Sequence, residues 1–342
     1  MADTTQNKLP SGVKCKTMQT IAFEEHFTTP KFMESPGAPL KAQAKSAQSA
    51  RANLLIDQLS DLDKRRIANM DAASINVQVL SLTAPGVEQL DASEAISLAR
   101  ESNDFLSDVC RRHPNRFLGF ATLPTAAPEA AADELERMVS KHGFKGALVN
   151  GHTRGRYLDD AFFWPILERA ESLQVPLYIH PAPPVQSVIQ DLYIGNYAPA
   201  VANALATYAW DWHIETAIHV LRIILSGALD RYPNLQLIIG HLGETLPFML
   251  PRFRALPPEM TKLNRPIEDY LRENIHYTFS GFNWTPAFLD LLLQVGADRI
   301  MFSTDYPYSS MEAARSFLEQ LPISPTDRER IAHRNAERLL RL

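Results

Sequence analysis

The sequence predicts an α/β fold, a distorted (β/α)8 barrel of the TIM type with loop and helix insertions, and three observations predict it. Eight short apolar runs recur along 342 residues, amphipathic stretches separate them, and Pro, Asn or Gly punctuate several returns from helix to strand. Apolar runs without polar alternation are the mark of parallel strands covered on both faces, and their alternation with helices is that of repeated βα units. A chain of this length with 45% hydrophobic residues suits one barrel with loop extensions.

Taken in order, residues 1–19 read as a loose polar extension and residues 20–342 as a single barrel domain. The extension carries Lys8, Lys14 and Lys16 but has neither arginine nor an apolar core, so it resembles no secretory or mitochondrial address. The predicted strands are Thr20–Phe23, Val77–Leu82, Phe117–Leu123, Gly146–Val149, Leu177–Ile179, Leu235–Ile239, Ile275–Phe279 and Ile300–Ser303. Helical spacing marks Ala92–Arg112, Ala131–Lys141, Phe162–Ser172, Glu215–Leu229 and Pro286–Val295. His113-Pro114-Asn115, Tyr232-Pro233-Asn234 and Gly296-Ala297-Asp298 supply turns. Glu34–Leu59 and Pro181–Ala209 exceed ordinary connections, and such stretches serve as covers over a site or as contact arms.

A net charge of −5 with interspersed signs leaves no footprint for nucleic acid or an anionic membrane, so small-molecule chemistry is favoured. Two cysteines, Cys15 and Cys110, make no disulfide framework, which fits a reducing cytoplasm. There is no Gly-x-Gly-x-x-Gly or Walker loop, and no organic cofactor is expected.

In a parallel barrel the C-terminal strand ends share one mouth, so polar residues distant in sequence converge there. Glu24 and His26 come after the first run, two apart on an extended chain and therefore on one side, with Glu25 turned away. His180, His241 and Asp305 close three later runs. Glu24, His26, His180 and Asp305 form a nitrogen and oxygen ligand set suited to one zinc or manganese ion with open positions, and His241 is the natural outer partner. Any one of these residues alone is more simply a surface or core group; their coincidence at separate strand ends carries the reading.

Glu24-x-His26, His180, His241-Leu242-Gly243-Glu244 and Asp305-Tyr306-Pro307 together resemble the amidohydrolase-related decarboxylases, such as γ-resorcylate and 2,3-dihydroxybenzoate decarboxylases and, more distantly, aminocarboxymuconate semialdehyde decarboxylase. The resemblance runs from about Ile21 to Leu342, apart from Thr153–Ala161 and Ala182–Pro199. It implies that Glu24, His26, His180 and Asp305 hold the metal and that His241 pairs with Glu244. It also implies that Arg252 binds substrate, in some members across a subunit boundary, and a homodimer or homotetramer follows from that. Hydrolytic relatives open with His-x-His, and binuclear ones end the fourth strand in lysine. This chain has Glu-x-His and Val149-Asn150, with Lys145 at the far end, so a single ion is expected.

The implied reaction is non-oxidative decarboxylation of an ortho-hydroxylated aromatic acid, of the salicylate, dihydroxybenzoate or orsellinate type. Asp305 is the candidate proton donor, with His241, oriented by Glu244, as the alternative. Phe23, Phe282, Trp284 and Tyr308 are candidate walls for the ring, and simple loop packing is the plainer reading of each. His213 and His219 are six apart on a helix, which suits packing or support of the site; His113, His142, His276 and His333 read as structural, and His152 as a residue of the mouth. The same barrel would also serve a metal-dependent lactonase or amidohydrolase acting on a carboxylated ring, in which His241 activates water.

Overall fold

The computed structural model describes residues 18–46 and 50–342; residues 1–17 of the predicted extension at 1–19, with Cys15, lie outside them. Among the described residues nine parallel strands carry the fold: β1 (Ile21–Phe27), β2 (Val77–Leu82), β3 (Phe117–Gly119), β4 (Ala121–Thr122), β5 (Ala147–Asn150), β6 (Leu177–His180), β7 (Leu237–Ile239), β8 (Ile275–Thr278) and β9 (Ile300–Met301). They pair as β1-β2-β3 and β4-β5-β6-β7-β8-β9. The predicted run Phe117–Leu123 is thus two short strands, because Phe120 turns its N–H to Leu80 of β2 (2.9 Å) while Ala121 turns to Gly146 before β5 (2.8 Å). At the other seam Phe23 donates to Phe302 (3.1 Å) and bridges Ser303 in parallel. These two seams join the sheet edges into the predicted eight-position barrel.

Alternation along the strands sorts the core into two layers. Ile21, Phe23, Val79, Phe120, Leu148, Tyr178, Ile238 and Met301 fill the barrel, with Ala336 and Leu340 below them. Their neighbours Ala22, Leu80, Ala121, Val149, Ile179, Ile239 and Phe302 face the surrounding helices. Each large side chain fully removed from water contributes roughly 1.5–3 kcal/mol before entropy is counted. Phe23 belongs to this filling. It is fully buried, with its ring 6.0 Å from that of Phe120, so the expectation that it walls a substrate is corrected.

The helices Ala92–Arg112 and Thr285–Val295 run close to their predicted bounds. Glu215–Leu229 does not: it is Asp211–Leu225 and then Ala228–Arg231, parted at Gly227 with φ 76°, a backbone that favours glycine. The two long stretches hold helices of their own. Ala38–Ser46 and Ala50–Ser60 follow β1, and Leu59 accepts from the Thr28 N–H (3.0 Å). Gln186–Val188, the π-turn Ile189–Tyr193 and Pro199–Leu205 follow β6. Both therefore leave from the C-terminal face of the barrel. No described helix is long and apolar enough to cross a membrane.

Candidate active site

The strand ends at that face converge on a cluster of buried polar groups. β1 reaches it by a bulge: its pairing with β2 slips between Ala22 and Glu25, and Glu24 has φ 57°. Plain extended alternation was the expected way for Glu24 and His26 to share a side; the extra residue of the bulge re-aims them instead. Glu25 turns away, as expected, and accepts from Thr304 N (3.0 Å), Thr304 Oγ1 (2.8 Å) and Gln78 Nε2 (2.6 Å). Burial raises its pKa to about 8, against the pull of Arg66 and Thr304.

Glu24 Oε1 lies 3.3 Å from His180 Nε2, and Asp305 Oδ1 lies 3.3 Å from His26 Nε2. The ligand atoms of Glu24, His26 and His180 all fall within 4.8 Å of one another. Glu24 Oε1 and both His26 nitrogens are buried without a hydrogen-bond partner. His180 faces Pro181 O at 2.8 Å through Nδ1; donation there leaves the Nε2 lone pair free for the cluster. Donors about 2.1 Å from a shared ion stand roughly 3.0–3.4 Å apart in octahedral or tetrahedral arrangements. The contacts match that spacing, and the orphaned lone pairs are what a cation would satisfy. The residues present fit a divalent ion.

The other oxygen of Glu24 is held by hydroxyls. Tyr178 and Ser280 both donate to Oε2, and Thr278 Oγ1 stands 2.8 Å from each of those hydroxyls. Sequence reading missed both donors, although Tyr178, two before His180 on β6, shares its inward side. Burial works to raise the Glu24 carboxyl, but His180, His241 and His26 outweigh it and hold it well below the usual range. Burial, and then the Glu24 charge, push Asp305 well above its usual value. His26 is pushed down to about 4, chiefly by burial.

His241 follows β7 through Gly240, where a Cβ would stand 2.7 Å from Glu24 Oε2 and 2.8 Å from Ser280 Oγ. His241, Leu242, Glu244 and Thr245 all have positive φ, a run of strain of the kind found at functional sites. It folds Glu244 back so that Oε1 meets His241 Nδ1 at 2.7 Å and Oε2 meets His213 Nδ1 at 2.6 Å. Burial would lower the His241 pKa; Glu244 and Glu24 override that and raise it to about 10. His213 thus supports the site from the helix Asp211–Leu225, while His219 of the same helix accepts from Leu158 N at 3.0 Å.

Phe282 places its ring 5.3 Å from His241 and 4.9 Å from His213, and Tyr308 stands 5.4 Å from His26 with its hydroxyl 2.6 Å from Thr83. Trp284 is 64% exposed, and its expected place as a wall is not realised within one chain, because the turn after β8 carries it outward. Arg252 is exposed and its guanidinium has no hydrogen-bond or ion-pair partner among the described residues, so it does not join the cluster of its own chain. Arg254, two residues on, pairs with Glu268 at 3.1 Å. His113, His142 and His333 are engaged by Asp63, Ser107 and Glu337, as structural residues would be. His152 lines a cavity of about 370 Å³ with Gln89 and the loop after β6.

The amidohydrolase family profile matches residues 27–342. The γ-resorcylate decarboxylase of Polaromonas sp. (strain JS666) is 39% identical over 94% of this chain and 98% of its own length. A crystal structure of 2,6-dihydroxybenzoate decarboxylase complexed with 2,6-dihydroxybenzoate superposes with a TM-score of 0.85 at 38% identity, covering 95% of this chain and 100% of that one. A dihydroxybenzoic acid decarboxylase from Polaromonas sp. JS666, with bound manganese and the inhibitor 2-nitroresorcinol, gives 0.86 at 38% identity over 95% and 97%. The chain belongs to the amidohydrolase family.

Proposed function

We propose that this protein is a metal-dependent carboxy-lyase that removes carbon dioxide, without oxidation, from an ortho-hydroxylated benzoate such as salicylate, 2,6-dihydroxybenzoate or orsellinate. The observation that carries the reading is geometric: Asp305 stands 3.3 Å from His26 beside the Glu24, His26 and His180 ligand atoms, in a cluster that fits one divalent ion. Relatives named for this reaction, at 39% identity across almost the whole chain, support it.

Direct loss of carbon dioxide from an aryl acid leaves an electron pair in the ring plane, where the π system does not delocalise it. The ring carbon must therefore be protonated first. A divalent ion held by Glu24, His26, His180 and Asp305 supplies Lewis acidity that favours the ionised ortho hydroxyl and orients the ring. Asp305 gives its proton to the carbon that bears the carboxylate. The bond to the carboxylate then breaks, its electron pair restores the aromatic ring, and solvent returns a proton to Asp305. His241, kept cationic by Glu244, offsets the carboxylate charge of the bound acid and is the alternative donor. Phe282 and Tyr308 flank the ring.

Among ions, two carboxylates with two imidazoles and open positions suit manganese, with zinc as the competitor. No organic cofactor is called for. Leu192, Ile194, Tyr208, Trp210 and Phe248 leave large apolar surface exposed, and a homodimer or homotetramer would cover it and give Arg252 a neighbour's site to enter. A monomer by light scattering with full activity would contradict that assembly. Cys110, a free thiol pushed up to about 12 by burial, suits the cytoplasm.

The test is turnover of a panel of ortho-hydroxybenzoates by protein of known metal content. Stoichiometric phenol formation, lost with chelator and reduced roughly 10²–10⁴-fold by Asp305→Asn, is expected. A ring-opened product would replace this reading with hydrolysis.

A further inference from the structure

The opposite end of the barrel holds a second concave site. A cavity of about 550 Å³ opens between the N-terminal ends of β6, β7, β8 and β9, lined by Gln236, His276, Asp298, Arg299, Arg338 and Arg341 with an apolar floor that includes Val175 and Leu339. Its volume is in the range of about 300–1,000 Å³ typical of small-ligand sites. The strand ends that bear Glu24, His180 and Asp305 lie at the other face, so the decarboxylation chemistry makes no use of it.

The charges there are unbalanced. Arg299 donates to Gln236 Oε1 at 3.0 Å and stands 3.2 Å from His276 Nε2. Arg338 donates to Asp298 O at 2.7 Å and Asn335 Oδ1 at 3.1 Å, and Arg341 donates to Gln174 Oε1. Every one of these acceptors is neutral. The single carboxylate in the lining, Asp298, is directed to Arg330 at 3.5 Å. Among the described residues, three guanidiniums therefore share one cavity with no carboxylate paired to any of them. His276 is buried among them, and its Nδ1 has no partner at all. Burial and the neighbouring Arg338 depress Arg299, and burial with Arg299 and Arg338 depresses His276 to about 3. Burial is the larger cause of both shifts, and the neighbouring guanidiniums add to it.

We propose that this cavity binds a small phosphorylated molecule, its phosphoryl group taken by Arg299, Arg338 and Arg341. Three guanidiniums offer more donors than the two oxygens of one carboxylate can accept, whereas a phosphoryl group presents three oxygens and a second negative charge. The apolar floor and the volume leave room for an organic body beyond a bare phosphate.

The test is calorimetric titration of the whole protein with inorganic phosphate, with adenosine monophosphate and with succinate, all at matched ionic strength. Saturable binding of phosphate or the monophosphate at one site per chain, at least 10-fold tighter than succinate, is expected. Monophosphate tighter than phosphate assigns an organic phosphate as occupant; equal affinity assigns the inorganic ion. Arg338→Gln and Arg341→Gln, both at exposed positions, should together weaken binding at least 10-fold while near-ultraviolet circular dichroism stays that of the parent. Heat that grows linearly without saturation, or affinity unchanged in the double variant, overturns the proposal.

Discussion

Glu24 divides its carboxylate between two tasks, one oxygen fixed by the hydroxyls of Tyr178 and Ser280 and the other left facing His180. Groups that orient a ligand in this way typically cost about 10–100-fold in metal affinity when removed. Tyr178→Phe keeps the ring that fills the barrel and deletes only the donor. Manganese affinity, measured by competition with a chelating dye, is expected to fall by that factor with little change in melting temperature; unchanged affinity would remove Tyr178 from the account. The candidate ligands were legible because each is a polar residue at the end of an apolar run. Tyr178 and Ser280 were not, since a hydroxyl inside or just after a strand carries no sequence mark until its partner is known. Phe23 and Trp284 show the converse: an aromatic near a strand end is read as a wall, yet the pleat puts one inside the barrel and the turn puts the other in solvent.

The elements that deliver these residues depart from regularity where they matter. The bulge in β1 and the left-handed run from His241 to Thr245 are what bring Glu24 to His180 and Glu244 back to His241 and His213. Periodicity sees strands and helices but averages over a single inserted residue or one turn of positive φ, so strand order was predictable and the convergence of the ligands was inferred only from their shared position. Gly240 offers a clean probe, because its φ of −83° is open to any residue while its missing Cβ makes room for Glu24. Gly240→Ala should fold normally and lose manganese affinity at least 10-fold, as read by the same competition assay. Wild-type affinity in a folded Gly240→Ala protein would show that the close approach of β7 to Glu24 has no part in binding.

The molecule as a whole inherits its acid response from histidines buried without charge. His276 and His219 have folded pKa values of about 3, both pushed down first by burial, against an ordinary value of 6.5. A depressed folded pKa means that the contribution to stability is present above pH 6.5 and drains away as the pH falls from 6.5 toward 3. Calorimetric melting temperature in phosphate-free buffer should therefore fall between pH 7 and pH 5, and less steeply in His276→Gln; parallel slopes would rule His276 out as a source. Barrel class and the polar strand ends were readable from the chain because they rest on periodicity and position. The bottom cavity was not, because Arg299, Arg338 and Arg341 come from two distant segments and meet only in the closed barrel. Asp305 is proposed to protonate the ring carbon that bears the carboxylate, and turnover in heavy water with the product weighed by mass spectrometry tests this step. The expected product is a phenol that has lost carbon dioxide and carries one deuterium at the former carboxyl-bearing carbon, formed roughly 10²–10⁴-fold more slowly by Asp305→Asn. A product that keeps the carboxyl group and has gained the elements of water would contradict it.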